Sequence, residues 1–105
     1  MDKVSRLRRK LKRQTARWSR ARHKQVGAQY TWYDAVEDYE AKEKAMWDSN
    51  GLEKKLIRAY LKSGNSYIKT NHKRVVAEQK TTVAWDRQRG THDKLSIVGS
   101  ARSVG

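Results

Sequence analysis

Eleven Lys or Arg residues stand among the first 26 positions against a single acid, Asp2, and one indole, Trp18, lies among them. Side chains of this kind, packed this densely, do one piece of chemistry well. They neutralise phosphates, arginine with paired N–H donors and lysine as a compact charge. The candidate contacts are Arg6, Arg8, Arg9, Lys10, Lys12, Arg13, Arg17, Arg20, Arg22 and Lys24. Trp18 has two readings: a ring that stacks on an unpaired base, or an anchor for its own helix against the core.

Other chemistries find little support. Asp34, Glu37, Asp38, Glu40 and Glu43 form an acidic cluster that could attract a divalent cation, but on a helix they point to different sides. Their better use is to neutralise a basic neighbour. His23, His72 and His92 have no ligand spacing and no cysteine accompanies them, so no metal and no cofactor is expected. No serine or histidine lies in a nucleophile-elbow or triad motif, and the glycines form no phosphate loop. The expectation is a protein that binds without catalysing.

The elements that must carry these residues are helical. Proline is absent, so nothing in the chain forbids helix. Val4, Leu7, Leu11, Trp18 and Ala21 recur at three- and four-residue steps with Gln14 and Gln25 in the same stripe, which predicts an amphipathic helix over 3–26. Gly27 is its expected C′ residue. Thr31-Trp32-Tyr33-Asp34 has the spacing of a capping box for a second helix that ends near Asp48, before the turn signal Asn50-Gly51. Leu52 to Leu61 predicts a third helix closed by Ser63-Gly64-Asn65-Ser66. Residues 67–89 fit a fourth helix, yet Thr81-Thr82-Val83-Ala84-Trp85 is rich in strand formers, and a β-hairpin within 67–98 is the alternative. The predicted fold is therefore a small, mostly α protein: a basic helix over 1–26, a helical core over 28–89 and a tail over 90–105.

Charge follows these boundaries, at +10 for 1–26, −4 for 28–50, +7 for 51–89 and +1 for 90–105. A second basic set, Lys54, Lys55, Arg58, Lys62, Lys69, Lys73, Arg74 and Lys80, reads either as a solvated face or as a second phosphate-contacting surface. Leu, Ile and Val together number only 17 of 105 residues, so the core is thin and leans on four Trp and five Tyr. A chain of this composition is expected to be marginal alone and ordered by a partner.

Met1-Asp2, then Arg6, Arg8, Arg9 and Lys10, then Ala16-Arg17-Trp18 resembles the arginine-rich RNA-hairpin-binding segment of the N-type and Nun-type transcription antitermination proteins of lambdoid bacteriophages. The resemblance covers about 20 residues and does not extend into 28–89. It implies that Arg6, Arg8, Arg9, Lys10, Arg13 and Arg17 contact phosphate, that Trp18 stacks on a loop base, and that the chain is of phage origin.

The partner class that follows is nucleic acid, either structured RNA or packaged DNA. The rival class is a virion or ribonucleoprotein assembly component that docks through its basic helices and aromatic anchors, and an oligomer fits either class. No small-molecule substrate is implied. The apolar stripe is too narrow for insertion into a membrane surface, and no apolar run approaches the roughly 18 residues that cross a bilayer. The absence of a secretory h-region leads to the expectation of a cytoplasmic or virion-internal protein.

Overall fold

The computed structural model describes residues 2–104, and the side chains of 2–99. The chain forms two helices, α1 over Lys3–Asp48 and α2 over Lys54–Val104, with no strand among the described residues. Two long helices thus replace one long and three shorter ones, and the hairpin alternative for 67–98 is set aside.

Both helices follow one rule. In α1 the side chains withdrawn from solvent include Val4, Leu7, Leu11, Gln14, Trp18, Ala21, Gln25, Ala28, Trp32, Ala35, Tyr39, Lys42 and Met46, in strictly alternating steps of three and four. In α2 they include Leu56, Tyr60, Ser63, Tyr67, Thr70, Arg74, Ala77, Thr81, Ala84, Gln88, Thr91, Leu95 and Val98, in the same steps. A seven-residue repeat of this kind keeps a narrow seam turned toward a single partner helix. In the usual lettering these residues occupy positions a and d. Positions g and c then form one flank of each helix, e and b the other, and f the back.

This seam explains why the predicted stops fail. Gly27 is an ordinary helical residue, because Ala28, Trp32 and Ala35 continue the seam beyond it and their packing outweighs the ~1 kcal/mol that glycine costs a helix interior. Thr31 is not a cap. Its hydroxyl donates to the Gly27 carbonyl one turn back, at 3.0 Å. Ser63-Gly64-Asn65-Ser66 stays helical for the same reason: Ser63 is buried in the seam and Gly64 lies beside the Tyr39 ring, where a Cβ would stand 3.4 Å from Cε2. The predicted tail is helical from 90 to 104, with Leu95 and Val98 in the seam.

True ends are marked by caps. Asp2, the one acid of the basic segment, accepts the Ser5 N–H through Oδ1 at 2.8 Å and so serves as the N-cap of α1. At the other end, Gly51 N–H donates to Met46 O at 3.0 Å and Asn50 N–H to Trp47 O at 2.9 Å, the paired bonds of a Schellman turn. Asn50 and Gly51 take the left-handed conformation that this turn needs, with φ of 60° and 67°.

The chain divides into two compact units, residues 1–24 with 78–105, and residues 25–77. Each unit is made of a stretch of α1 and a stretch of α2. In the first unit, the Thr81 hydroxyl donates to Ala21 O at 3.1 Å, Trp18 lies on Trp85 with ring centroids 5.2 Å apart, and Gln88 reaches Thr15 at 3.5 Å. Partner numbers fall in α2 as they rise in α1, so the two stretches run antiparallel. The second unit holds the aromatic cluster. Tyr39 packs on Tyr60 and Tyr67 at 5.1 and 5.5 Å, Trp32 packs on Tyr67 at 6.3 Å, and the Arg74 guanidinium sits 4.4 Å from the centre of the Trp32 ring. Among the described apolar side chains only Val4 and Ala35 are buried, which bears out the thin core.

Candidate nucleic-acid interface

Ten cations without an acid share one flank of the first unit. The seam register places Arg6, Arg13 and Arg20 at position c of α1, and Lys3, Lys10, Arg17 and Lys24 at position g. These seven follow one another in steps of three and four, a stripe parallel to the seam about 31 Å long at 1.5 Å per residue. From α2 the same flank receives Lys80, Arg87 and Lys94, all at g. Antiparallel helices meet g to g and e to e. The Thr15, Trp85 and Gln88 contacts mark the opposite, e-side edge, which leaves the two g edges together on the cationic side.

The unit as a whole has sixteen Lys and Arg against four acids, a net of +12, while residues 25–77 carry +2. All four acids of the first unit avoid the stripe. Asp2, Asp86 and Asp93 are at f and Glu78 is at e. In residues 25–77 the same flank is mixed, with Asp34, Asp38 and Asp48 from α1 and Lys55, Lys62, Lys69 and Lys73 from α2.

Of the residues singled out in the sequence, Arg6, Lys10, Arg13, Arg17, Arg20 and Lys24 are therefore brought together. Arg8, Lys12 and Arg22 lie on the opposite flank, and Arg9 on the back. Arg6, Arg9, Lys10, Lys12 and Arg13 line an open surface depression of about 590 Å³. Trp18 occupies position a, half-buried against Trp85, so in the chain alone its ring anchors the helix pair. Trp85 itself remains 42% exposed.

Four cations of the flank are absent from the contacts expected from the sequence: Lys3, which lies within residues 1–26, and Lys80, Arg87 and Lys94 of α2. The signal that finds them is the seven-residue spacing of the charges themselves, 3, 10, 17 and 24 in one helix and 80, 87 and 94 in the other. The second basic set divides differently from expectation. Lys80 belongs to the cationic flank, whereas Arg74 lies in the seam over Trp32 and also donates to Asn71 Oδ1 at 2.8 Å. The acidic cluster is spread over the flanks and back of α1, with Asp38 paired to Lys42 at 3.6 Å, and no group of three potential ligands is close enough to hold a metal among the described residues.

Comparison with protein families, with characterised proteins and with solved structures finds no match. No helix is long and apolar enough to cross a membrane among the described residues. Any functional reading therefore rests on the chemistry of the flank.

Proposed function

We propose that the protein is a non-enzymatic nucleic-acid-binding protein that holds the phosphodiester backbone on the cationic flank of residues 1–24. The observation that carries this reading is the stripe Lys3, Arg6, Lys10, Arg13, Arg17, Arg20 and Lys24, unbroken by any acid. A solvated helix surface alternates Glu with Lys, because mixed charges add i,i+4 stabilisation and like charges subtract it. Here the penalty is accepted at every step, and a linear anion relieves all the steps together. The contacts are charge to phosphate, so the binding is broad in sequence and steep in salt.

The test is fluorescence anisotropy with a labelled 20-base-pair DNA, a single-stranded RNA and an RNA hairpin over a series of salt concentrations. Six to eight neutralised phosphates give a log–log slope of roughly −5 to −7 on duplex DNA. Arg13→Ala, Arg17→Ala and Arg20→Ala combined flatten it by about 2.7. Absence of binding to all three probes at low salt sinks the proposal. Trp18→Phe separates the two uses of that ring. Loss of hairpin binding at unchanged melting temperature assigns it to a loop base, and a lowered melting temperature with unchanged binding assigns it to the helix pair.

A second reading, that of an assembly component, draws on residues 25–77. There Tyr33, Trp47, Leu61 and Ile68 all fall at position b and are between 47% and 65% exposed. Exposed aromatic and aliphatic side chains on one flank are the material of protein contacts. Light scattering distinguishes this role. Self-association abolished by Trp47→Ser with Ile68→Ser supports it, and a monomer at high concentration counts against self-assembly.

A further inference from the structure

At three rungs, the g positions that face one another across the seam of the first unit hold the same charge. The Thr81–Ala21 contact sets the register, and equal height along the pair then joins residues whose numbers add to about 102. The g residues nearest to that height are Lys10 with Lys94, Arg17 with Arg87, and Lys24 with Lys80. In paired helices these positions ordinarily exchange salt bridges that fix partner and orientation. Here each rung is repulsive, and none of the six side chains is ion-paired among the described residues. The contrast with residues 25–77 is internal to the chain. There the corresponding rungs are Thr31 with Lys73, Asp38 with Ser66 and Ala45 with Ala59, none of them like-charged.

We infer that one run of phosphodiesters lies along this edge and bridges the two helices, with each rung clasping the backbone between a cation of α1 and a cation of α2. The inference rests on the nucleic-acid reading and adds to it: α2 supplies half of the clasp, and the ligand takes the place of the missing interhelical salt bridges. Successive rungs are seven residues apart, about 10.5 Å, so three rungs cover about 21 Å of backbone. Binding and the pairing of the helices are then one event. The anion removes the repulsion that opposes pairing, and pairing places the second row of cations.

The variant that tests this is Lys80→Glu, Arg87→Glu and Lys94→Glu combined, in the full chain. It converts every rung to an opposite-charge pair. Two changes of opposite sign are expected. Without nucleic acid the variant melts at a higher temperature than the wild type at low salt. With labelled duplex DNA or single-stranded DNA it binds at least about 100-fold more weakly, having lost three of its phosphate contacts. The wild type, in turn, gains melting temperature on addition of either DNA and the variant does not. A preference for one form of DNA identifies which backbone geometry the edge accepts, and equal response to both supports recognition of the phosphodiester run alone. Should circular dichroism show the variant unfolded, Lys80→Gln, Arg87→Gln and Lys94→Gln replace it, with a salt slope flatter by about 2.7. Wild-type affinity and slope in the substituted chain, with loss of binding on Arg6→Ala, Arg13→Ala and Arg20→Ala, would overturn the clasp and leave α1 as the sole binding surface. A wild type that binds neither DNA at low salt overturns the underlying reading as well.

Discussion

At the scale of single residues, the seam is polar enough that hydroxyls and amides do part of the work of packing. Tyr39 shows this in a measurable way. Its phenol lies 2.7 Å from that of Tyr60, and the hydrogen bond to Tyr60, followed by burial and the nearby Tyr60 and Glu43 charges, pushes its pKa above the ordinary 10.0. A raised value means that the folded chain favours the neutral phenol. The stabilisation is present in full below pH 10.0 and is lost as pH rises through the higher folded value. Absorbance at 295 nm is expected to reveal a late-ionising tyrosine component in the folded chain. Tyr39→Phe removes that late component and lessens the fall of melting temperature at alkaline pH. Absence of a late tyrosinate component in the folded chain would contradict the Tyr39–Tyr60 contact. Gln14 and Trp32 mark the cost of such a seam, since Gln14 Oε1 and Trp32 Nε1 are buried without a hydrogen-bond partner.

At the scale of elements, local signals and the seven-residue repeat disagree, and the repeat prevails. Gly27, the Thr31–Asp34 spacing, Gly64 and Gly90 each resemble a helix boundary when read over four or five residues. The a/d spacing passes through all of them without a break. What was legible in the sequence is therefore the helical class, the stripe from Val4 to Gln25 and the turn at Asn50-Gly51. The lengths of the helices were not, because the seam beyond residue 28 is built from Ala, Ser, Thr and Arg as well as from aromatic residues, and an apolar count does not register them. The strand-like run Thr81 to Trp85 is a case in point. Thr81 and Ala84 are seam residues, Thr81 donating to the facing Ala21 carbonyl, and their β-propensity is overridden by packing. Interior glycines give the sign that checks this. Gly27 and Gly90 have negative φ, and a methyl group added at either would meet nothing within 4 Å, so Gly27→Ala and Gly90→Ala are each expected to stabilise by about 0.8–1 kcal/mol. Thermal melts decide the matter, since alanine at a left-handed C′ position would lower the melting temperature instead.

At the scale of the whole molecule, the distribution of charge predicts how stability and binding respond to salt, and the two responses have opposite signs. Of the net +14, twelve units belong to residues 1–24 with 78–105. Along the stripe, Lys3 with Arg6, Arg6 with Lys10, Lys10 with Arg13, Arg13 with Arg17, Arg17 with Arg20 and Arg20 with Lys24 are neighbours one turn apart, and each pair costs a few tenths of a kcal/mol at low salt. The three repulsive rungs across the seam add to this. Screening shortens from about 30 Å at 0.01 M to under 10 Å above 0.1 M, which removes much of the repulsion between exposed groups. The free chain is therefore expected to become more stable by about 1–2 kcal/mol between 0.01 and 0.3 M sodium chloride. A helix pair held by salt bridges would lose stability over the same range. Nucleic-acid affinity must fall steeply over that range, because each phosphate contact releases a counterion that the added salt opposes. Melting curves recorded with and without DNA at each salt concentration consequently converge as salt rises, the free chain from below and the complex from above. Parallel curves would mean that the anion touches the protein without relieving the charge that destabilises it. Convergence ties the instability of the free chain and its affinity for a polyanion to the same row of cations.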